Sequence, residues 1–166
     1  MEQAGIKREK NKRVSRTLVN EMKIKMPAVS ENEGTARGVV GTFAARLDPT
    51  VEELADLRCA VSEAVTNSVV HGYGCEGGVL YISIRAYSDR SIYVEIRDKG
   101  RGIENVQKAM EPLFTTDGTG ERSGMGFAVM QSFTDTVKVR SQPGKGTSVT
   151  LIKKLSPTED VQGERG

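Results

Sequence analysis

The chain has 166 residues, of which 37% are hydrophobic and 28% charged, and its formal net charge is +2. This length suits one domain with a single core, and no apolar run approaches the ~18 residues that a membrane span requires. The positive excess lies in residues 1–16, no apolar secretory segment follows it, and Cys59 and Cys75 have no metal-ligand spacing. We therefore expect a cytoplasmic protein with no membrane association and no direct DNA binding.

The first half of the chain predicts one strand followed by two helices. Apolar residues alternate with lysines over residues 22–26, which is typical of a strand with one buried face. The sequence Ser30-Glu31-Asn32-Glu33 has the pattern of a capping box and predicts a helix start. Asp48-Pro49 predicts the start of a second helix, with Asp as the N-cap. That helix is expected to end at His71-Gly72, since glycine tolerates a left-handed cap.

The second half predicts hairpins around one helix. Apolar residues alternate over 80–86 and again over 92–96, with a turn at Ser88-Asp89-Arg90 between them. A short helix near residues 103–110 and a longer one over 124–134 precede two further strands. These last strands are joined at Pro143-Gly144-Lys145-Gly146.

The predicted element order determines the fold class. Because hairpins dominate, we expect an α+β two-layer sandwich with helices on one face of a mostly antiparallel, mixed sheet. The domain is expected over residues 21–155, between a disordered basic tail at 1–20 and a disordered tail at 156–166.

Glu63 and Asn67 are four residues apart on the second predicted helix, so they share one face. Taken alone, the pair is more typical of a solvent-facing helix surface than of a functional site. The functional alternative is a site in which the Asn67 amide oxygen binds Mg²⁺ and the Glu63 carboxylate acts as a general base.

Asp98-Lys99-Gly100-Arg101-Gly102 follows a predicted strand. A carboxylate at a strand end can accept a hydrogen bond from an exocyclic amine such as that of adenine. Gly100 and Gly102 would let the backbone approach a flat ligand closely. The alternative is a tight turn with a capping aspartate.

Arg122-Ser123-Gly124-Met125-Gly126-Phe127 opens a predicted helix, whose free N–H groups favour phosphate. Gly124 and Gly126 keep side chains away from that phosphate site, and the Arg122 guanidinium offers paired donors to a terminal phosphate. The alternative is a glycine-rich helix start with an exposed arginine, which has the same sequence pattern. Thr147 is either an ordinary strand residue or a hydroxyl that contacts a base.

The order of these motifs is more specific than any one of them. It resembles the ATP-binding domain shared by gyrase, heat-shock chaperones and histidine kinases, the GHKL superfamily, over about residues 22–155. The resemblance implies the Bergerat-type ATP-binding fold. No P-loop or dinucleotide-binding glycine motif occurs in the chain.

Four local segments narrow the resemblance to the family of sporulation anti-sigma F factors, which are serine kinases. They are Ser30-Glu31-Asn32-Glu33, the segment from Ser62 to Asn67 with His71-Gly72-Tyr73, Pro112-Leu113-Phe114-Thr115-Thr116, and the segment from Glu121 to Phe127. The resemblance implies Mg²⁺ and ATP as cofactors and a homodimer that holds a sigma factor. It also implies an anti-anti-sigma protein as phosphate acceptor.

The resemblance also implies a role for each candidate residue. Glu63 would be the general base, and Asn67 would bind Mg²⁺. The nucleotide would contact Asp98, Gly100, Gly102, Thr115, Thr116, Arg122, Gly124, Met125, Gly126 and Thr147, beneath a lid at about 103–123. Arg37 matches a position implicated in sigma binding, although an exposed helix arginine explains it equally well.

Three alternatives remain open at this stage. A stress-response anti-sigma kinase has the same type of domain, and a non-catalytic module would bind ATP and sigma without phosphoryl transfer. The presence of Glu63 favours transfer, because binding alone needs no base. A histidine-kinase fragment is disfavoured, since the single histidine, His71, falls at the end of the predicted site helix.

Overall fold

The computed structural model describes residues 16–112 and 125–158, which form a five-stranded sheet and its helices. The strands are β1 (Leu18–Pro27), β2 (Val79–Tyr87), β3 (Ser91–Arg97), β4 (Thr136–Gln142) and β5 (Gly146–Lys154). The helices are α1 (Asn32–Ala45), α2 (Val51–Thr66), α3 (Val106–Ala109) and α4 (Gly126–Phe133). A π-helix (Asn67–Gly72) continues α2 without interruption.

The strands lie in the order β1-β2-β3-β5-β4, and each pairing in the described ranges is antiparallel. This confirms the α+β prediction and both predicted hairpins. The sheet is antiparallel rather than mixed. The helix pair α1 and α2 connects β1 to β2, and β2 runs beside β1 in the opposite direction. In residues 16–112 and 125–158, no helix has both the length and the apolar character needed to cross a bilayer.

The core lies between the sheet and α1, α2 and α4. Leu80, Ile82 and Ile84 on β2 are at most 2% exposed and alternate with partly exposed residues, which is the strand period. Leu57, Val61 and Val65 supply the facing helical stripe on α2. Each such aliphatic side chain contributes roughly 1.5–3 kcal/mol by leaving water, so this contact fixes α2 against the sheet.

Three predicted boundaries are wrong. β1 begins at Leu18, because residues 18–20 extend the pairing with β2, so they belong to the sheet and not to a tail. The capping box at Ser30 does not form, since α1 has Glu31 at its N-cap without a side-chain bond. The box forms instead at Thr50, whose hydroxyl accepts from the Glu53 N–H while the Glu53 carboxylate accepts from the Thr50 N–H. Asp48 therefore lies outside α2, in the left-handed region at φ 50°.

The end of the second helix also differs from its prediction. The chain changes to π-helix at Asn67, and the left-handed residues follow at Gly74 (φ 63°) and Cys75 (φ 62°), not at Gly72. The N–H of Cys75 bonds to the Val69 carbonyl, which ends the helix with a wide turn. A π-helical turn inside a long helix is frequent at functional sites, and this one lies between the two halves of the predicted site.

Candidate functional site

Glu63 and Asn67 meet the first residue of α4. A Cβ atom placed on Gly126 would lie 3.2 Å from Glu63 Oε2 and 3.2 Å from Asn67 Oδ1. A side chain at this position would press on both oxygens, and glycine leaves them open beside the N-terminus of α4. The structure thus brings together the carboxylate, the amide and the glycine that the sequence placed on two separate helices.

The pKa of Glu63 is raised from its ordinary value of 4.5. Partial burial is the main cause, and the negative charge of Glu33 on α1 adds to it. Glu33 was not predicted as a site residue, since nothing in the sequence indicates that α1 packs its first turn beside α2 at this point. A carboxylate whose pKa is raised is better suited to accept a proton near neutral pH.

Asp98 lies at the end of β3 and is only 2% exposed. Its Oδ1 accepts hydrogen bonds from the Gly100 N–H at 2.9 Å and the Thr147 N–H at 3.1 Å. Among the described residues, Oδ2 receives no such bond, so it can accept one from a ligand amine. A Cβ on Gly72 would lie 3.1 Å from the carboxyl carbon, which places the Asp98 carboxylate against the end of the π-helix.

Two glycines allow backbone segments to approach each other around Asp98. A Cβ on Gly100 would meet the Gly72 carbonyl oxygen at 2.1 Å, and one on Gly146, at φ 92°, would meet the Asp98 carbonyl oxygen at 2.2 Å. Real Cβ atoms do not approach oxygen that closely, so both positions require glycine. Gly102, also left-handed at φ 74°, packs in the same way on the Gln142 carbonyl.

Tyr73 holds the Asp98 turn on the end of the π-helix. Its hydroxyl donates to the Val79 carbonyl at 2.8 Å and accepts from the Lys99 N–H at 2.8 Å. The Arg101 N–H bonds to the Gly72 carbonyl at 2.9 Å next to it. Sequence reasoning missed this role for Tyr73, because the contact joins residues that only the folded sheet places side by side.

The structure places the remaining predicted residues as follows. Met125 is the residue before α4 and is exposed. The Thr147 hydroxyl lies 2.8 Å from Ser141 Oγ, so its backbone N–H, and not its hydroxyl, contacts Asp98. Arg37 on α1 lies with Nη1 3.4 Å from Glu33 Oε1 and 3.5 Å from Ser62 Oγ. Thr115, Thr116, Arg122 and Gly124 lie outside the described residues.

The two halves of the site are joined by one helical turn. Asn67 begins the π-helix and Gly72 ends it against Asp98, so only this π-helical segment separates the two halves. An acceptor for an amine therefore lies at one end, and a helix N-terminus with a carboxylate and an amide lies at the other. This arrangement suits a ligand with a flat amino-substituted base and a phosphate chain.

The donor set also fits Mg²⁺ bound in the manner usual for nucleotides. In the described part of the chain, no cluster of three or more His, Cys, Asp or Glu is placed to hold a metal. Mg²⁺ in nucleotide sites uses one or two protein oxygens, with phosphates and water completing the shell. The Asn67 amide oxygen beside Gly126 meets that smaller requirement.

Comparison with known proteins agrees with this geometry. Residues 26–153 match the family described as histidine kinase-like ATPase domain. The chain is 52% identical to the anti-sigma F factor of Clostridium acetobutylicum over 143 residues, which cover 86% of this chain and 99% of that protein. It is 48% identical to the anti-sigma F factor of Bacillus subtilis over 144 residues, or 86% and 97% of the two chains.

The chain belongs to the anti-sigma F factor family. A third relative, the anti-sigma F factor of Caldanaerobacter subterraneus subsp. tengcongensis, is 54% identical over 135 residues, which are 81% of this chain and 93% of that one. These matches confirm the family to which the sequence motifs pointed.

A solved structure of low sequence identity confirms the fold alone. The RsbU and RsbW domains of Rv1364c from Mycobacterium tuberculosis superpose with a TM-score of 0.62 at 20% identity. The match covers 84% of this chain and 33% of that one. The layered α+β architecture of this anti-sigma F family member is thus found in a distant protein as well.

Proposed function

We propose that this protein binds Mg-ATP, inhibits a sporulation sigma factor, and phosphorylates a serine of the anti-anti-sigma protein that opposes it. The observation that carries the proposal is the meeting of Glu63 and Asn67 at Gly126, where a Cβ would lie 3.2 Å from both. A family that only bound ATP would have no need of a carboxylate at that point. The relatives named anti-sigma F factor favour the sporulation type over the stress-response type.

In this proposal the chain's own groups do the following. Glu63 accepts the proton of the acceptor serine hydroxyl, since its raised pKa lets it hold that proton. The N-terminus of α4 at Gly126 holds the phosphates with its free N–H groups. Mg²⁺, held by Asn67, would neutralise charge on the phosphates when bound. Asp98 Oδ2 accepts from the amine of adenine and selects that base.

The test is phosphoryl transfer from labelled ATP to the purified anti-anti-sigma protein, with phosphoserine as the product measured. Glu63→Gln should reduce the transfer rate by about a hundredfold or more and leave ATP affinity within about twofold, because a base acts on the transition state. Glu76→Gln is the matched control, since Glu76 is exposed in the loop after the π-helix.

The outcomes separate the alternatives. Equal transfer by Glu63→Gln and the parent protein would remove Glu63 from the role of base. ATP binding without any phosphoserine in the parent protein would make the domain a non-catalytic module. Asn67→Ala should weaken ATP binding only when Mg²⁺ is present, which calorimetry with and without the metal measures directly.

We propose Arg37 as a sigma contact. Its side chain is 43% exposed on α1, and the Glu33 carboxylate lies 3.4 Å from its guanidinium, so the group is held at the surface in a fixed position. Arg37→Glu should abolish capture of the sigma factor and leave ATP affinity unchanged. Arg46→Glu, at the end of the same helix, is the control, and capture that survived Arg37→Glu would contradict the assignment.

We also propose a homodimer as the sigma-binding form, as the relatives' family implies. Sedimentation of the purified protein should give a mass of two chains at micromolar concentration. A single-chain mass that persists when sigma is bound would contradict it.

A further inference from the structure

The sheet has a second face, turned away from the helices, that no part of the proposed kinase site uses. Ile24 and Met26 on β1, and Val137 and Val139 on β4, pack on the core. Their neighbours along each strand therefore point to the opposite side, as do the odd-numbered residues of β2. We call this side the outer sheet face.

Basic side chains outnumber acidic ones on the outer sheet face. The basic residues are Lys23, Lys25, Arg85, Arg97, Lys138, Arg140 and Lys154, against the acidic residues Glu21 and Glu95. The whole chain carries only +2, so positive charge is concentrated here relative to the remainder of the folded domain. Such a concentration attracts an oppositely charged partner and speeds its association.

A cleft of about 230 Å³ lies in the middle of this face, across β2, β3, β5 and β4. Its charged lining residues are Arg85, Glu95, Lys138 and Arg140, and Ser83 and Thr150 contribute hydroxyls. Glu95 lies 3.8 Å from Arg85 and pairs with it, so Lys138 and Arg140 are the cations of the cleft that remain for a partner. Ser83 Oγ is buried and has no hydrogen-bond partner in the described part of the chain. A buried hydroxyl without a partner is uncommon, so the floor of the cleft carries an unmet hydrogen-bond donor.

The tyrosine rings of the outer sheet face are already covered by cations of this chain. The Arg16 guanidinium lies 4.1 Å from the Tyr87 ring centre and 4.5 Å from that of Tyr93. Arg97 lies 5.1 Å from the Tyr81 ring centre. These contacts hold the positive charges in place and cover the tyrosine rings. The outer sheet face therefore does not offer the free aromatic rings on which nucleic-acid bases stack.

We propose that the outer sheet face binds a carboxylate-rich segment of a partner protein, with the central cleft as its anchor. Cations at fixed positions match carboxylates, which accept from guanidinium and ammonium groups. In an extended acidic peptide, the carboxylates on one side are about 7 Å apart. Alternate residues along a strand of the sheet have the same spacing, so the cations of the face can match them. The site is separate from the nucleotide site, so binding should not depend on ATP.

The experiment uses a fluorescein-labelled decaglutamate peptide and the full-length protein, with fluorescence anisotropy as the readout. The parent protein should bind the peptide, and affinity should fall steeply between about 0.05 M and about 0.5 M salt. Lys138→Glu combined with Arg140→Glu should weaken binding by at least about tenfold. Arg46→Glu, a single charge reversal on the helical layer, should change it by less than about twofold, as should Glu63→Gln.

Three results would overturn the proposal. One is equal peptide affinity in the Lys138→Glu, Arg140→Glu variant and in Arg46→Glu. Another is peptide-induced amide shifts, in a two-dimensional NMR spectrum, that map to the helices and not to β2–β5. The third is binding of oligothymidylate at least about tenfold tighter than of decaglutamate, which would assign the face to nucleic acid. Should the charge-reversal variant not fold, Lys138→Gln with Arg140→Gln tests the same prediction, with an expected loss of at least about threefold.

Discussion

The ammonium nitrogen of Lys153 lies 3.1 Å from Oδ2 of Asp56. Lys153 is on the inner side of β5 and is only 9% exposed, while Asp56 lies on α2. The same nitrogen donates a 2.9 Å hydrogen bond to the carbonyl of Phe133, the last residue of α4. One nearly buried charge therefore joins β5, α2 and α4, and it fixes the helix whose first residue, Gly126, faces Glu63.

Lys153→Met should lower the free energy of unfolding by about 2 kcal/mol, because Asp56 and the Phe133 carbonyl lose their shared partner. Urea unfolding measures the change. Lys154→Met is the control, since Lys154 is the exposed neighbour on the other side of β5. Lys153→Met with Asp56→Leu should recover part of the loss, and a double variant less stable than the single one would contradict the pairing.

Glu63→Gln should stabilise the protein at neutral pH. The folded state raises the pKa of Glu63 above 4.5, so it holds a proton that the unfolded chain has released. Stability therefore falls as pH rises from 4.5 through the raised pKa, and above that window the parent carries the full cost of the carboxylate. Glutamine has no such cost, so its advantage in thermal midpoint should be present at pH 7 and disappear below pH 4.5.

The control for this pH dependence is Glu76→Gln, in which an exposed carboxylate is removed. Its thermal midpoint should follow that of the parent protein across the same pH range. An advantage of Glu63→Gln that persisted unchanged at pH 4 would show that shape, and not charge, distinguishes the variant.

Gly100→Ala should disrupt the turn that carries Asp98. The new methyl group would lie 2.1 Å from the Gly72 carbonyl oxygen, and backbone at both places would have to move. We expect a loss of about 1–3 kcal/mol in unfolding free energy and a weaker affinity for ATP. Gly38→Ala is the matched control, because no atom lies within 4 Å of its added Cβ, and in a helix interior it should stabilise by about 0.5–1 kcal/mol. A neutral Gly100→Ala would contradict the close approach.

Thr50→Ala should cost about 1 kcal/mol, because it removes the hydroxyl that accepts from the Glu53 N–H at the start of α2. Ser30→Ala should change stability by less than about 0.5 kcal/mol, since Ser30 makes no side-chain cap for α1. Chemical unfolding of the two variants side by side measures the difference. A larger loss of stability in Ser30→Ala than in Thr50→Ala would show that the capping box predicted at Ser30 does form.

Much of the fold was predictable because it depends on patterns that are local in the chain. The alternation over 80–86 and 92–96 and the turn between them predicted β2 and β3, and the helical spacing through Val61 and Val65 predicted α2. The errors were also local. Ser30 and Thr50 each precede a helix, but only Thr50 forms a side-chain cap. Cap formation depends on the backbone direction of the residues before the helix, and the packing of α1 and α2 sets that direction.

The sequence by itself determined the family, the order of the elements, and the chemical groups of the candidate site: Glu63, Asn67, Asp98 and the glycines after it. Only the tertiary structure decided that Gly126 leaves room for both Glu63 and Asn67, and that Tyr73 and Gly72 support Asp98. These contacts join residues between 26 and 63 positions apart in the chain. No periodicity records such pairs, because their distances arise from how the helices pack on the sheet.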